Sequence, residues 1–405
     1  MRTIHIVGAG QSGLQLALGL QAAGYEVDLV SARTPVDLRT GGVLSTQAMF
    51  GPALDTERAL GLNLWEDEAP RIAGFHIGLS ASPGELTLDF LAPLDACAQS
   101  TDQRLKMAAW LELFESRGGT VRYAAAGPAD LDAGAYDLTV VAAGRGGLAA
   151  LFPRDPARSP YTSPQRRLAL AYVHGLEPDP AWPVPNVSLT AFPGLGELVV
   201  IPALTFSGRC DILFWEGVPG GPLDLGAATL EGILDLARRY APWVYDRCRH
   251  VELTDARATL SGRITPIVRQ QVAALPGGGY ALGVADAVTV NDPITGQGAN
   301  LAAKSAAAYL AAVVARGDGP FDRGWMTGTA ESFRESTAEP TTEWTNAMLA
   351  PLPPHVQRIL ATAPSSPPVA RRFANGFADP ADFRDWLLSP DRTTAYLDGL
   401  TSERT

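Results

Sequence analysis

The chain has 405 residues, 46% hydrophobic and 19% charged, the composition of a folded globular protein with room for two or three structural units around a large buried core. A formal charge of -11 and a pI near 5.0, with no basic run to reverse the balance locally, argue against nucleic acid or an anionic membrane surface as a partner. Cys97, Cys210 and Cys248 are widely spaced without a CxxC, so neither a disulfide framework nor a metal site is expected and a reducing cytoplasm fits; no apolar run approaches the roughly 18 residues of a bilayer span, and a first strand at Thr3 leaves no room for a leader.

Thr3 to Val7 reads as a buried strand, and Gly8-Ala9-Gly10-Gln11-Ser12-Gly13 follows it directly. Leu14, Ala17 and Leu18 give the i, i+3, i+4 stripe of a helix ending near Gly24, and Val27 to Val30 is the second strand of a βαβ unit. The glycines let the chain turn tightly, let the backbone approach a pyrophosphate, and let a helix begin whose free N–H groups hold that anion. An acidic residue usually ends the second strand of such a unit and binds a ribose hydroxyl. Ser31-Ala32-Arg33 stands there instead, which weakens a nicotinamide reading and makes this segment, Arg33 above all, a contact for the adenosine end.

Tyr136 to Ala143 is a further strand running into the Gly144 turn, as parallel nucleotide-binding sheets have. From Leu168 the texture changes: Leu168 to Val173, Val187 to Phe192, Glu197 to Ile201 and Cys210 to Trp215 are short β-rich runs separated by turn residues at Pro193-Gly194, Ser207-Gly208 and Pro219-Gly220-Gly221. An antiparallel sheet is expected, followed by a helical face at Leu230, Ile233, Leu234 and Ala237. Tyr280 to Val284 returns to strand, and a helix from about Gly298 to Ala315 rejoins the first unit. From Phe321 on, Trp344, Met348, Phe373, Phe377, Phe383 and Trp386 recur at helix-compatible spacing, as in a region that caps the other units.

Two segments together point to a flavin. After the strand ending at Val284 comes Asp286, then Asp292-Pro293-Ile294-Thr295-Gly296-Gln297-Gly298-Ala299-Asn300. A carboxylate at Asp286 would accept hydrogen bonds from ribitol hydroxyls, Pro293 would shape a loop, and Gly296 to Asn300 would offer backbone N–H groups at a helix N-terminus to the electron-rich pyrimidine edge of an isoalloxazine. The fold that follows is α/β: a Rossmann-like FAD-binding domain of the glutathione-reductase type, interrupted by an antiparallel β-sheet substrate domain, with a C-terminal helical region. Its boundaries fall at residues 1–160 and 276–320 for the FAD-binding parts, 161–275 for the β-rich insertion and 321–405 for the helical region.

Through the runs Val7 to Gly13, Leu44-Ser45-Thr46, Asp102-Gln103-Arg104, Tyr136 to Gly144, Gly194 to Pro202, Asp292 to Asn300 and Trp344-Thr345-Asn346, the chain resembles the styrene and indole monooxygenases, the FADH2-dependent epoxidase components of two-component systems. The resemblance implies that Leu44 and Arg104 lie against the flavin and that Pro293 sits beside its reactive face. It also implies a branch. Ser45, Gln47 and Met49 match the indole-preferring pattern, as do Ile72 and Ala98, whereas Phe75 stands where a smaller aliphatic residue is expected. These six would line the substrate pocket, with Ser45 positioning flavin and substrate.

The chemistry so implied is epoxidation of the double bond of indole, and of styrene-like aromatic alkenes, by O2 through a flavin C4a-hydroperoxide. The cofactor carries the reaction and no protein acid or base is required. This agrees with five histidines, His5, His76, His174, His250 and His355, in no nucleophile or metal pattern. Where single-component aromatic hydroxylases carry an Asp-Gly segment serving flavin and NADPH, this chain reads Gly144-Arg145-Gly146-Gly147, so reduced FAD is expected from a separate flavin reductase, and a homodimer is possible by resemblance. Other readings share the fold: a flavin-dependent halogenase, which would need an active-site lysine where only Lys106 and Lys304 exist; a non-catalytic flavin binder; and a single-component NAD(P)H-dependent hydroxylase or an oxygenase of a larger natural product, which differs only in the pocket.

Overall fold

Strands and helices alternate from the N-terminus as the glycine-rich opening predicts. The computed structural model describes residues 2–131, 134–144 and 147–402. A six-stranded sheet runs in the order Val272–Ala274, Tyr280–Gly283, Leu138–Val141, Thr3–Val7, Glu26–Ser31, Thr120–Tyr123. Its pairings are parallel except at the Val272–Ala274 edge. Strand order reverses on either side of Thr3–Val7, which places a topological switch point, and hence a crevice, at the carboxyl end of that strand.

The helices Gln11–Ala22 and Gly298–Arg316 pack on one face of this sheet with Gln103–Ser116. Contacts advance together along the first two: Gln15 Nε2 donates to Ala303 O, Gly19 abuts Leu310, and Tyr25 OH donates to Val313 O. These two helices therefore run parallel and begin at the same end. By length and composition Gly298–Arg316 could cross a bilayer, where the sequence reading found no such run. Here Ala302, Ala306, Tyr309 and Val313 bury its apolar side in the sheet-and-helix core, so small apolar residues serve close helix packing.

The second sheet has eight strands in the order Glu252–Leu253, Arg167–His174, Gly208–Gly217, Gly196–Thr205, Val187–Phe192, Ile72–Leu79, Leu88–Ala98, with Thr259–Arg263 also on Arg167–His174. Side-chain alternation sorts its faces. Cys210, Ile212 and Phe214 join one core, whereas Leu213 and Trp215 face the helices Leu230–Tyr240 and Pro242–Cys248. The C-terminal helices close over the first of these faces with Trp344, Phe373, Phe377, Phe383 and Trp386.

The sheets cut across the boundaries drawn from sequence. Ile72–Leu79 and Leu88–Ala98, inside the 1–160 segment, extend the second sheet, and Ile72–Leu79 pairs with Val187–Phe192 in parallel, so the sheet is mixed and not wholly antiparallel. Val272–Ala274, inside the 161–275 segment, edges the first sheet. Local pattern shows that a segment is a strand and which side is apolar. The edge that satisfies its N–H and C=O groups is a long-range choice.

Glu57 ties the N-terminal helix to its neighbours. Fully buried, its Oε1 accepts from Lys106 Nζ at 2.5 Å and from Gln11 Nε2 at 2.9 Å. Removing one ion leaves the other buried and unpaired, so Lys106→Met is expected to cost about 3–5 kcal/mol. Adding Glu57→Gln should restore much of it, as read from urea unfolding midpoints of the two variants and the parent.

Candidate active site

The crevice is built from two helix ends. Gly8, at φ +116°, closes the first strand, and a Cβ there would stand 2.8 Å from the backbone of Ala142. A Cβ on Gly13 would stand 1.9 Å from Gly8 O, which fixes turn against helix. Gly10 differs: it is exposed, with nothing within 4 Å of where a Cβ would project. It caps the helix Gln11–Ala22 without any side-chain hydrogen bond, and no acid lies in the first turn. The leading N–H groups, those of Gln11, Ser12 and Gly13, thus keep the positive end of the helix dipole unneutralised by side chains. Gln11 itself turns its carboxamide inward to Glu57 and Gln15, so only its backbone serves the crevice.

The same construction recurs at Gly298–Arg316. Gln297 precedes it without a side-chain cap, no acid lies in the first turn, and Gly296 and Gly298 are exposed, with nothing within 4 Å of a Cβ. The Gln297 carboxamide points away, donating to Thr295 O and Phe377 O. Two uncapped anion-binding ends on parallel, packed helices fit a dinucleotide with a pyrophosphate at one place and an electron-rich ring at another, which is the demand of FAD.

Asp286 lies exposed just past Gly283, beside Gly144, where a Cβ would stand 2.3 Å from the Asp286 Cβ. Ala285 next to it has φ 50°, a left-handed conformation that is otherwise glycine's among the described residues, and such strain is kept where surrounding structure demands it. At the adenosine end, Ser31 Oγ donates to Arg33 O at 2.6 Å while Ala32 and Arg33 are exposed.

Asn300 joins the flavin loop to the predicted substrate segment. Its Oδ1 accepts from Phe50 N at 2.8 Å, and its Nδ2 donates to Ala48 O at 2.8 Å and Gly296 O at 3.1 Å. The side chain is therefore occupied by protein backbone, and only its main chain remains for a cofactor. The same segment is held elsewhere by Tyr172 OH donating to Ser45 O, by Gln47 Nε2 donating to Thr101 O and by mutual backbone bonds between Met49 and Gln99. Ser45 is partly buried, its Oγ 3.5 Å from Gln47 Oε1.

The six residues expected to line a pocket separate into two places. Ile72, Phe75 and Ala98 lie in the core on the inner face of the second sheet, with Ala48 and Phe50. Met49 instead packs with Ala53, Leu54 and Ala303, against Ala299. Phe75 fills its place with a large ring, 4.4 Å from Phe377, which in turn lies 4.7 Å from Trp344. Phe50, Tyr172, Phe377 and Trp344 thus join the apolar wall without having been read as site residues; the aromatic cap after Phe321 and the Trp344-Thr345-Asn346 run were the signals for the last two.

Arg104, expected to approach the flavin, is held by an ion-pair network. Its five N–H groups meet Asp102, Asp255 and Gly41 O, so its donors are spent on tying the helix Gln103–Ser116 to the second sheet. Leu44 is partly buried against the core beneath the first sheet. Pro293 stands in the short 3-10 turn Pro293–Thr295 that Asp292 caps through Ile294 N. The other Asp292 oxygen has no hydrogen-bond donor, and burial pushes this carboxyl up to about 6.

Comparison with known proteins places the chain among flavin enzymes by sequence and fold. Residues 144–247 match the family model described as "Styrene monooxygenase A putative substrate binding domain". The chain is 30% identical over 410 residues to styrene monooxygenase StyA of Pseudomonas fluorescens, covering 96% of each. Among solved structures, the flavin-dependent brominase Bmp2 superposes with a TM-score of 0.68 at 15% identity, covering 95% of this chain and 97% of that one. Klebsiella pneumoniae HpxO, complexed with FAD and uric acid, gives 0.62 at 15% identity, covering 94% and 96%; both show a shared fold.

Gly10→Ala should fold normally, since space is open there, yet weaken FAD binding at least tenfold, about 1.4 kcal/mol, in flavin fluorescence titrations. Gly13→Ala should lower both affinity and melting temperature. Asn300→Ala, which orphans buried backbone groups at Ala48 and Phe50, is expected to cost about 2–4 kcal/mol of stability, read by denaturant unfolding.

Proposed function

The chain belongs to the styrene monooxygenase family, and from that premise we propose that it epoxidises the double bond of indole, and of styrene-like aromatic alkenes. It is an FAD-dependent flavoprotein monooxygenase. The observation that carries the indole reading is the Ser45, Gln47, Met49 pattern on the one segment that Asn300 fastens to the flavin loop. Bound reduced FAD supplies the chemistry, an electrophilic oxygen from O2 by way of a C4a-hydroperoxide; the chain's own residues do the rest.

In this reading the N–H groups after Gly10 hold the pyrophosphate, and those of Gly298, Ala299 and Asn300, with Gly296 leaving room, face the flavin ring. Pro293 shapes the loop and Asp286 takes the ribityl hydroxyls. Ser31, Ala32 and Arg33 meet the adenosine. Ser45 and Gln47 orient substrate, while Ile72, Phe75 and Ala98 supply an apolar boundary that excludes water and Met49 backs the Ser45 segment against the long helix.

We further propose that a separate NADH-dependent flavin reductase supplies reduced FAD, in a cytoplasm where the three free cysteines stay reduced, and that the chain works as a homodimer. Support for external reduction is the missing acidic residue after Val30 and the missing Asp at the Gly144 turn. Arg145 and Gly146 of that turn lie outside the described residues.

Protein loaded anaerobically with chemically reduced FAD and mixed with oxygenated buffer and indole should yield oxygenated indole that proceeds to indigo. NADH with oxidised FAD should yield none. Ser45→Ala and Met49→Ala should each shift the indole-to-styrene rate ratio at least threefold; unchanged indole with rapid H2O2 release would reject the assignment.

A further inference from the structure

An open cavity of about 790 Å³ lies beside the long helix Gly298–Arg316, and none of its lining residues is among those assigned above to FAD or substrate. Lys304, Ala308 and Ala312, spaced one turn apart, line one side of it over about 12 Å. The helix Arg323–Phe333 supplies the rings of Trp325 and Phe333, with Thr329 and Ser332, whose hydroxyls have no hydrogen-bond partner among the described residues. That helix runs into a π-helical turn, Arg334–Ala338, which adds Ser336 and Thr337 to the lining. Turns wound in this way are rare and occur frequently at functional sites. The volume, and a lining of small apolar and aromatic residues with a few polar groups, suit a small organic molecule.

Charge says which kind. The chain's lysines are Lys106 and Lys304, and they differ in one respect. Lys106 is neutralised by Glu57. Lys304 is partly buried and donates to Ala378 O at 2.7 Å, but no carboxylate pairs with it among the described residues. An ammonium carries three donors, so two are left for the cavity. Asp379 also lines the cavity, yet it is exposed to water and its Oδ1 accepts from Ala381 N. A cation drawn out of water without a counter-ion calls for an anion, whereas a solvated carboxylate calls for no partner.

We propose that this cavity is a second ligand site, for a small aromatic carboxylate whose anionic end pairs with Lys304 and whose ring lies against Trp325 and Phe333. Burial pushes the Lys304 ammonium below its ordinary range in spite of Asp379, in keeping with a charge that lacks its partner. The proposal is independent of the flavin reading, because it uses no residue of either flavin-binding segment.

The test is calorimetric titration of the full chain with 2-naphthoate and with its uncharged counterpart 2-naphthamide, with lysine acetylation followed by mass spectrometry alongside. 2-Naphthoate should bind at least tenfold more tightly than the amide, and should slow acetylation of Lys304 at least fivefold while leaving Lys106 unaffected. Lys304→Met should weaken binding at least tenfold. So should Ala308→Phe, which keeps the ammonium but fills the cavity and decides the matter if Lys304→Met fails to fold. Asp379→Asn, which removes a like charge from the lining, should tighten binding at least twofold. No binding, equal affinity for acid and amide, an unprotected Lys304, weaker binding to the Asp379 variant, or binding that survives both other variants would each overturn the proposal.

Discussion

One buried carboxamide fixes the segment before Phe50 against the start of the long helix Gly298–Arg316. Asn300, fully buried in the first turn of the long helix, accepts from Phe50 N and donates to Ala48 O and Gly296 O. Asparagine suits the place because it offers an acceptor and two donors from one planar group. A carboxylate would repel the Ala48 carbonyl, and an apolar residue would leave the buried Phe50 N–H and Ala48 C=O without this partner. Through this clamp the segment Ser45 to Met49, some 250 residues away in sequence, is registered against the N-terminal end of the helix, which the proposed function sets against the flavin.

Around that clamp the layers divide the work. The parallel sheet and its two parallel helices present N–H groups and glycine clearances to an anionic cofactor. The second sheet presents an apolar face bordered by charge at both ends: Arg104 with Asp102 and Asp255 at one, Arg166 with Glu197 at the other. C-terminal aromatics close over the middle. On the proposed function, this apolar face would border a flat substrate and keep water from the flavin without offering a nucleophile of its own. The histidines fit that division: His76 pairs with Asp89 at 3.2 Å and His174 with Ser207 at 2.7 Å.

Much of this was legible because it is local. Gly8, Gly10 and Gly13 have distinct steric jobs within six residues, and a strand before them and a helix after them suffice to assign an anion site. The Asp292 to Asn300 run likewise carries its own turn, cap and helix start. Arg104 shows the opposite case. Its neighbour Asp102 is close in sequence, yet Asp255 and Gly41, which complete its bonding, come from distant segments, so its commitment to an ion-pair network could not be read from its motif. Met49 fared similarly: its apolar character was evident, but whether it faced the sheet or the long helix depended on how Gln99 paired with it.

By itself the sequence determined the chemistry of short range: the class of cofactor, the strand and helix identities, the family, and the polarity of each strand face. Tertiary structure alone decided which edge of which sheet Ile72–Leu79 and Leu88–Ala98 would join, which carboxylates Arg104 and Arg166 would meet, and that Glu197 and Glu216 would stand opposite one another. The reason is physical. Propensity, glycine sterics and helix-end electrostatics act within a few residues. Hydrogen-bond satisfaction at sheet edges and charge balance in a buried seam, by contrast, are settled only when distant segments compete for the same partners.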